Sequence, residues 1–125
     1  MNRILSVAAV SGLLAVALGA FGAHGLKGII SPEMLEVYKT GVQYQFYHTF
    51  ALLIVGVLMS FSQSKGLTWS AYLFITGIIL FSGSLYLLAI TGIKALGMIT
   101  PFGGITWIAA WLLMIVHFSR LNTSK

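Results

Sequence analysis

GLTWSAYLFITGIILFSGSLYLLAITGI, residues 66–93, is a run of 28 residues with no Asp, Glu, Lys or Arg. A helix needs about 20 mainly apolar residues to cross the hydrocarbon core of a bilayer. A helix of this length at a protein surface in water would need a charged face, and this stretch has none. Three other stretches read the same way: Ile4–Leu26, Thr40–Ser64 and Ala95–Ser119 are also free of charge. Charged residues separate each run from the next. The chain is therefore read as all-α, an integral membrane four-helix bundle. Its spans are placed near residues 4–22, 44–61, 69–90 and 101–118 of a single transmembrane domain, residues 1–125.

Composition points the same way. Hydrophobic residues make up 58% of the 125 and charged residues 7%, where a soluble domain carries about a quarter charged residues to keep its surface solvated. In the fourth run, Phe102, Ile105, Ile108, Leu112, Leu113, Ile115, Val116 and Phe118 favour insertion by about 2 to 5 kcal/mol in total. The chain has no Cys, which excludes disulfides and thiolate metal ligands. The net charge of +5 is spread over the connections and forms no patch, so no nucleic-acid partner is expected. Met1-Asn2-Arg3 before an apolar run resembles a signal peptide, with Ala20 and Gly22 as small residues near a cleavage point. The run is longer than a typical signal core, and the reading adopted is a retained first span.

Punctuation along the chain places the helix ends. Gly19, Gly22, Gly25 and Gly28 are expected to break the first helix. Ser31-Pro32-Glu33 reads as a start: a capping hydroxyl, a proline at the first helical position and an acid facing the positive end of the dipole. A helix from Pro32 to Phe61 would be about 45 Å long, against a core about 30 Å thick. Its first part, Glu33 to Gln43, is therefore expected outside the core as a short amphipathic helix between spans 1 and 2. That part would set Met34, Tyr38 and Gly41 against Glu33, Glu36 and Lys39, with Gly41 a bend. Thr91-Gly92 should stop span 3, and Thr100-Pro101 should repeat the cap-and-proline start for span 4.

Small residues recur at helical spacing: Ala8, Gly12, Ala15 and Gly19 in span 1, Gly77 and Ser84 in span 3, Gly103 and Ala110 in span 4. Lipid tails are as apolar as Leu, so close approach through small residues drives helix association. These seams are expected to line the interior of a tight left-handed bundle; a second reading turns span 1's seam toward another copy of the chain. For orientation, Arg3, Lys65, Arg120 and Lys125 lie on the side of the N-terminus, against Lys27, Lys39 and Lys94 on the other. Four against three places both termini in the cytoplasm.

The candidate polar cluster is His24, Tyr44, Gln45, His48, Thr100 and Pro101, gathered at the extracytoplasmic face. An ionisable residue inside a span is a functional hypothesis by default. The plainer account is that Gln45, Tyr44 or a backbone carbonyl satisfies His48. His24 and His48 with Glu33 or Glu36 could form a metal site, although no fixed ligand spacing supports it. Bis-histidine haem ligation fits less well, because His24 lies in a glycine-rich loop. His117 belongs to the opposite end of span 4. Ser82, Ser84 and Tyr86 read as donors between helices, since no acid or base accompanies the serines. The glycine-rich stretches match no phosphate-binding pattern.

Four ordered blocks carry a family resemblance: Gly19-Ala20-Phe21-Gly22-Ala23-His24-Gly25-Leu26, Thr40-Gly41-Val42-Gln43-Tyr44-Gln45-Phe46-Tyr47-His48-Thr49, Gly83-Ser84-Leu85-Tyr86 and Ile99-Thr100-Pro101-Phe102-Gly103-Gly104. Together they resemble the small YgdD/YwdK-type membrane proteins, related to an uncharacterised eukaryotic TMEM group. The resemblance implies a multi-pass protein of the bacterial plasma membrane without an established activity, and it carries over no catalytic residue. The expectation is a non-enzymatic structural or accessory component. It would need no metal or cofactor, and its partners would be the lipid bilayer and possibly itself or other membrane proteins. Two alternatives stand beside it: an oligomeric small transporter or channel, and a metal- or cofactor-binding protein using His24 and His48.

Overall fold

The computed structural model describes residues 3–123. Three helices, α1 (Arg3–Leu26), α2 (Pro32–Phe61) and α3 (Lys65–Thr91), are long and apolar enough to span a membrane. The fourth span, Lys94–Asn122, opens with a 3₁₀ turn, Lys94–Met98, and continues as α4 (Thr100–Thr123). The chain is an all-α membrane protein with four spans.

The glycine-rich end of span 1 does not break the helix at Gly22, as expected from sequence. A π turn, Leu18–Gly22, carries the chain on to Leu26. Two of these glycines serve close approach instead. A Cβ on Gly22 would stand 1.7 Å from the Tyr38 hydroxyl oxygen, and one on Gly19 would stand 3.1 Å from Val42. The reversal falls later, at Gly28, whose φ of +84° suits a residue without a Cβ.

Ser31 caps α2 as its sequence promises, its hydroxyl accepting from the Met34 amide at 3.1 Å. α2 runs without interruption from Pro32 to Phe61, the length read from its start signal, and Gly41 marks no break in it. Gly41 is instead a contact point, since a Cβ there would lie 2.8 Å from the Tyr86 ring. The amphipathic pattern itself holds, with Tyr38 and Gly41 buried and Glu33, Glu36 and Lys39 exposed.

Gly92 ends α3 in the left-handed region at φ 72°, its amide bonded to the Leu88 carbonyl. A second π turn, Ile78–Ser82, lies inside α3. Thr100 is not a cap. It is already helical, and its hydroxyl pairs with that of Ser84 on α3.

The helices pack in chain order, α1 on α2, α2 on α3 and α3 on α4, which leaves α1 on the flank. The seams are spent within the chain. Ala8 and Ala15 are fully buried, and a Cβ on Gly12 would meet Thr49 of α2. Gly77 receives the Trp107 ring, and Gly103 sits against the Phe81 backbone. Ser70 donates to the Ala110 carbonyl at 3.1 Å. Span 1's seam therefore faces α2 and not a second copy. Its outer surface carries bulkier residues such as Leu13, 69% exposed.

Candidate functional site: a polar tie across three spans and a basic cleft

Gln45 sits on the buried face of α2. Its side-chain amide donates to the Ser11 carbonyl at 2.9 Å and reaches the Ser11 hydroxyl at 3.3 Å. Its carbonyl oxygen accepts from the Tyr86 hydroxyl at 2.6 Å. The Ser11 hydroxyl is in turn 2.7 Å from that of Thr49. One chain of hydrogen bonds thus joins α1, α2 and α3. Two neighbours extend the pattern: Tyr38 donates to the Leu18 carbonyl at the head of the first π turn, and Ser82, in the second, donates to the Gly41 carbonyl. A π turn interrupts the regular ladder of an α-helix, and here each one carries a bond to α2.

His48 is 7% exposed and lies against a different set of groups. Its Nδ1 is 2.8 Å from the Tyr44 carbonyl. A carbonyl only accepts, so Nδ1 carries the proton. The imidazole lies flat on Trp107, with centroids 3.6 Å apart and planes 1° from parallel. Trp107 is fixed by its own indole N–H, which donates to the Phe74 carbonyl at 3.1 Å. Phe74 and Trp111 approach the imidazole from two further directions. The plainer sequence reading describes His48: a backbone carbonyl satisfies it, and it packs α4 onto α2 and α3.

The six-residue cluster divides. Gln45 belongs to the tie, and His48 and Tyr44 to the aromatic stack. Thr100 belongs to the α3–α4 contact through Ser84, and Pro101 is exposed. His24 stands apart and exposed. It borders a cleft of about 370 Å³ together with Gly19, Ala20, Lys27, Leu35 and Lys39. Lys39 and His48 are nine residues apart on α2, about two and a half helical turns, so they point to opposite sides. The metal or haem reading that paired His24 with His48 fails for this reason and for their depth: Gly22 of α1 meets Tyr38 whereas Gly12 meets Thr49, so the two histidines lie at different levels of the bundle. Among the described residues no three of His, Cys, Asp and Glu gather as a metal site would require.

Sequence reasoning missed Ser11, Trp107 and the two π turns. Ser11 had a signal, since it follows Ala8 by three on the same seam. Trp107 had one too, since it follows Gly103 by four and precedes Ala110 by three on span 4's seam.

The stretch from residue 18 to residue 104 matches the family model described as "Protein of unknown function (DUF423)". The chain belongs to this family. As a DUF423 protein it has relatives of nearly equal length. It is 46% identical to the UPF0382 membrane protein YwdK of Bacillus subtilis, over 93% of this chain and 95% of the relative. It is 47% identical to a UPF0382 membrane protein of Staphylococcus aureus, over 93% and 94%. A UPF0382 membrane protein of Staphylococcus haemolyticus is 43% identical over the same shares. No solved structure matches this DUF423 chain. The matched region runs from the first π turn to the glycines of α4, and so takes in the basic cleft and all of the tie except Ser11.

Proposed function

We propose that this DUF423 protein is a non-enzymatic structural or accessory component of the plasma membrane, with both termini in the cytoplasm, that acts through its surface on other membrane proteins or on further copies of itself. The observation that carries this reading is the closed interior. Gln45 is occupied at both ends, His48 is bonded and stacked, and Ser82 and Ser84 bond to a carbonyl and a hydroxyl with neither acid nor base beside them. Such bonds hold helices together. A nucleophile needs an adjacent base instead. The relatives from Bacillus and Staphylococcus, named as membrane proteins, support the plasma-membrane assignment. The four-to-three basic balance supports the orientation.

The reading is tested by crosslinking in the native membrane followed by native mass spectrometry. The chain has no cysteine, so Leu13→Cys places a single probe on the outer face of α1. Disulfide-linked or reagent-linked adducts with a second copy or another membrane protein are expected. A protein recovered only as an unlinked monomer would overturn the assignment.

A further inference from the structure

We infer that the cleft bordered by His24, Lys27 and Lys39 binds the phosphate of an anionic phospholipid. The three nitrogen-bearing side chains come from separate places: the last turn of α1, the loop after it and the second turn of α2. The fold brings them to one cleft of about 370 Å³ whose remaining wall is Gly19, Ala20 and Leu35. Ligand sites of this kind run from about 300 Å³ upward, and a phosphate with its polar headgroup fits the lower end of that range.

Depth selects the source of the phosphate. α2 is about 45 Å long and the core about 30 Å thick, so the stretch ahead of Tyr44 projects beyond the hydrocarbon. Lys39 precedes Tyr44 by five residues, about 7.5 Å along the axis. That is the level of lipid headgroups. Gly19 and Ala20 precede His24 by five and four residues on α1 and so lie on the hydrocarbon side of the cleft, and a lysine beside an apolar surface extends its ammonium toward the headgroup layer. Lys27 has no ion-pair partner among the described residues, while Lys39 lies 3.5 Å from Glu36. That pair is exposed and thus weak. It offers competition that a lipid phosphate can displace.

The test is retention of lipid by the purified full chain in native mass spectrometry, comparing dioleoyl phosphatidylglycerol with dioleoyl phosphatidylcholine. Preferential retention of one phosphatidylglycerol is expected, and Lys27→Gln or Lys39→Gln should weaken it about fivefold each. Glu36→Gln, which frees Lys39, should strengthen it. Lys94→Gln removes a charge from the same end of the molecule but outside the cleft, and should leave retention unchanged. Inorganic phosphate in millimolar excess should not displace the lipid; displacement would assign the cleft to a free anion and overturn the lipid reading. Equal retention of both lipids, or an equal loss from Lys94→Gln, would reduce the effect to general surface charge and overturn the site. All four substitutions are at exposed side chains, and an unchanged circular dichroism spectrum confirms that each variant is folded.

Discussion

A Cβ added at Gly103 would stand 2.5 Å from the backbone nitrogen of Phe81, and one added at Gly12 would stand 3.7 Å from the Thr49 methyl. The first distance leaves no room, and the obstacle is backbone, which cannot rotate aside. The second is an ordinary contact. Gly103→Ala should therefore push α4 away from α3 at a cost of about 1–3 kcal/mol. Gly12→Ala should be neutral or stabilising by up to about 1 kcal/mol, through the better helix propensity of alanine. Thermal unfolding in detergent separates the two outcomes. The Tyr86–Gln45 bond is a second test at this scale. Tyr86→Phe removes only the hydroxyl, and Gln45→Ala removes its acceptor. Hydrogen bonds between membrane helices average about 0.6 kcal/mol and reach about 1.7 kcal/mol. A double-mutant cycle should return a coupling within that span, and additive losses would mean that the tie contributes no specific energy.

Helix ends were legible from sequence wherever a local rule governs them. Ser31 caps α2, Pro32 opens it and Gly92 closes α3, because capping and left-handed geometry depend on one or two residues. Thr100 carried the same signal and was misread. Its hydroxyl had a better partner in Ser84, and that partner lies on another helix. The π turns had no signal for a similar reason. A surface helix with an extra residue in one turn shows a shift in its apolar stripe, but Leu18–Gly22 and Ile78–Ser82 hold a single polar side chain between them, Ser82, too little to mark a shift of phase. The candidate site follows the same division. Spacing read His24 and His48 at one depth, near one membrane face, whereas Gly22 packs on Tyr38 and Gly12 on Thr49, which sets His24 toward the start of α2 and His48 level with Gly12, deeper in the bundle. Nor could spacing say on which side of α2 each would lie, since that depends on α1 packing on one flank and α3 and α4 on the other.

At the scale of the molecule, charge is distributed by end. Arg3, Lys65 and Arg120 lie at one end of the helices; Lys125, counted with them from the sequence, falls outside the described residues. Lys27, Lys39 and Lys94 lie at the other, together with both acids of the chain, Glu33 and Glu36. Basic residues set orientation and acids contribute little, so the proposed arrangement, with both termini in the cytoplasm, rests on a margin of one. Single cysteines read it directly. Ile29 is 76% exposed in the loop after α1, and Gln63 is exposed in the turn between α2 and α3. With an impermeant maleimide, Ile29→Cys should label in intact cells and Gln63→Cys only after lysis; the reverse pattern would invert the orientation and move the basic cleft to the cytoplasmic leaflet. The narrow margin has a consequence of its own. Arg3→Gln with Lys65→Gln changes the balance from four against three to two against three, and should make part of the population label at Gln63→Cys from outside. A population that kept its original pattern would mean that orientation is held by something other than these charges, with span length and packing as the remaining physical candidates.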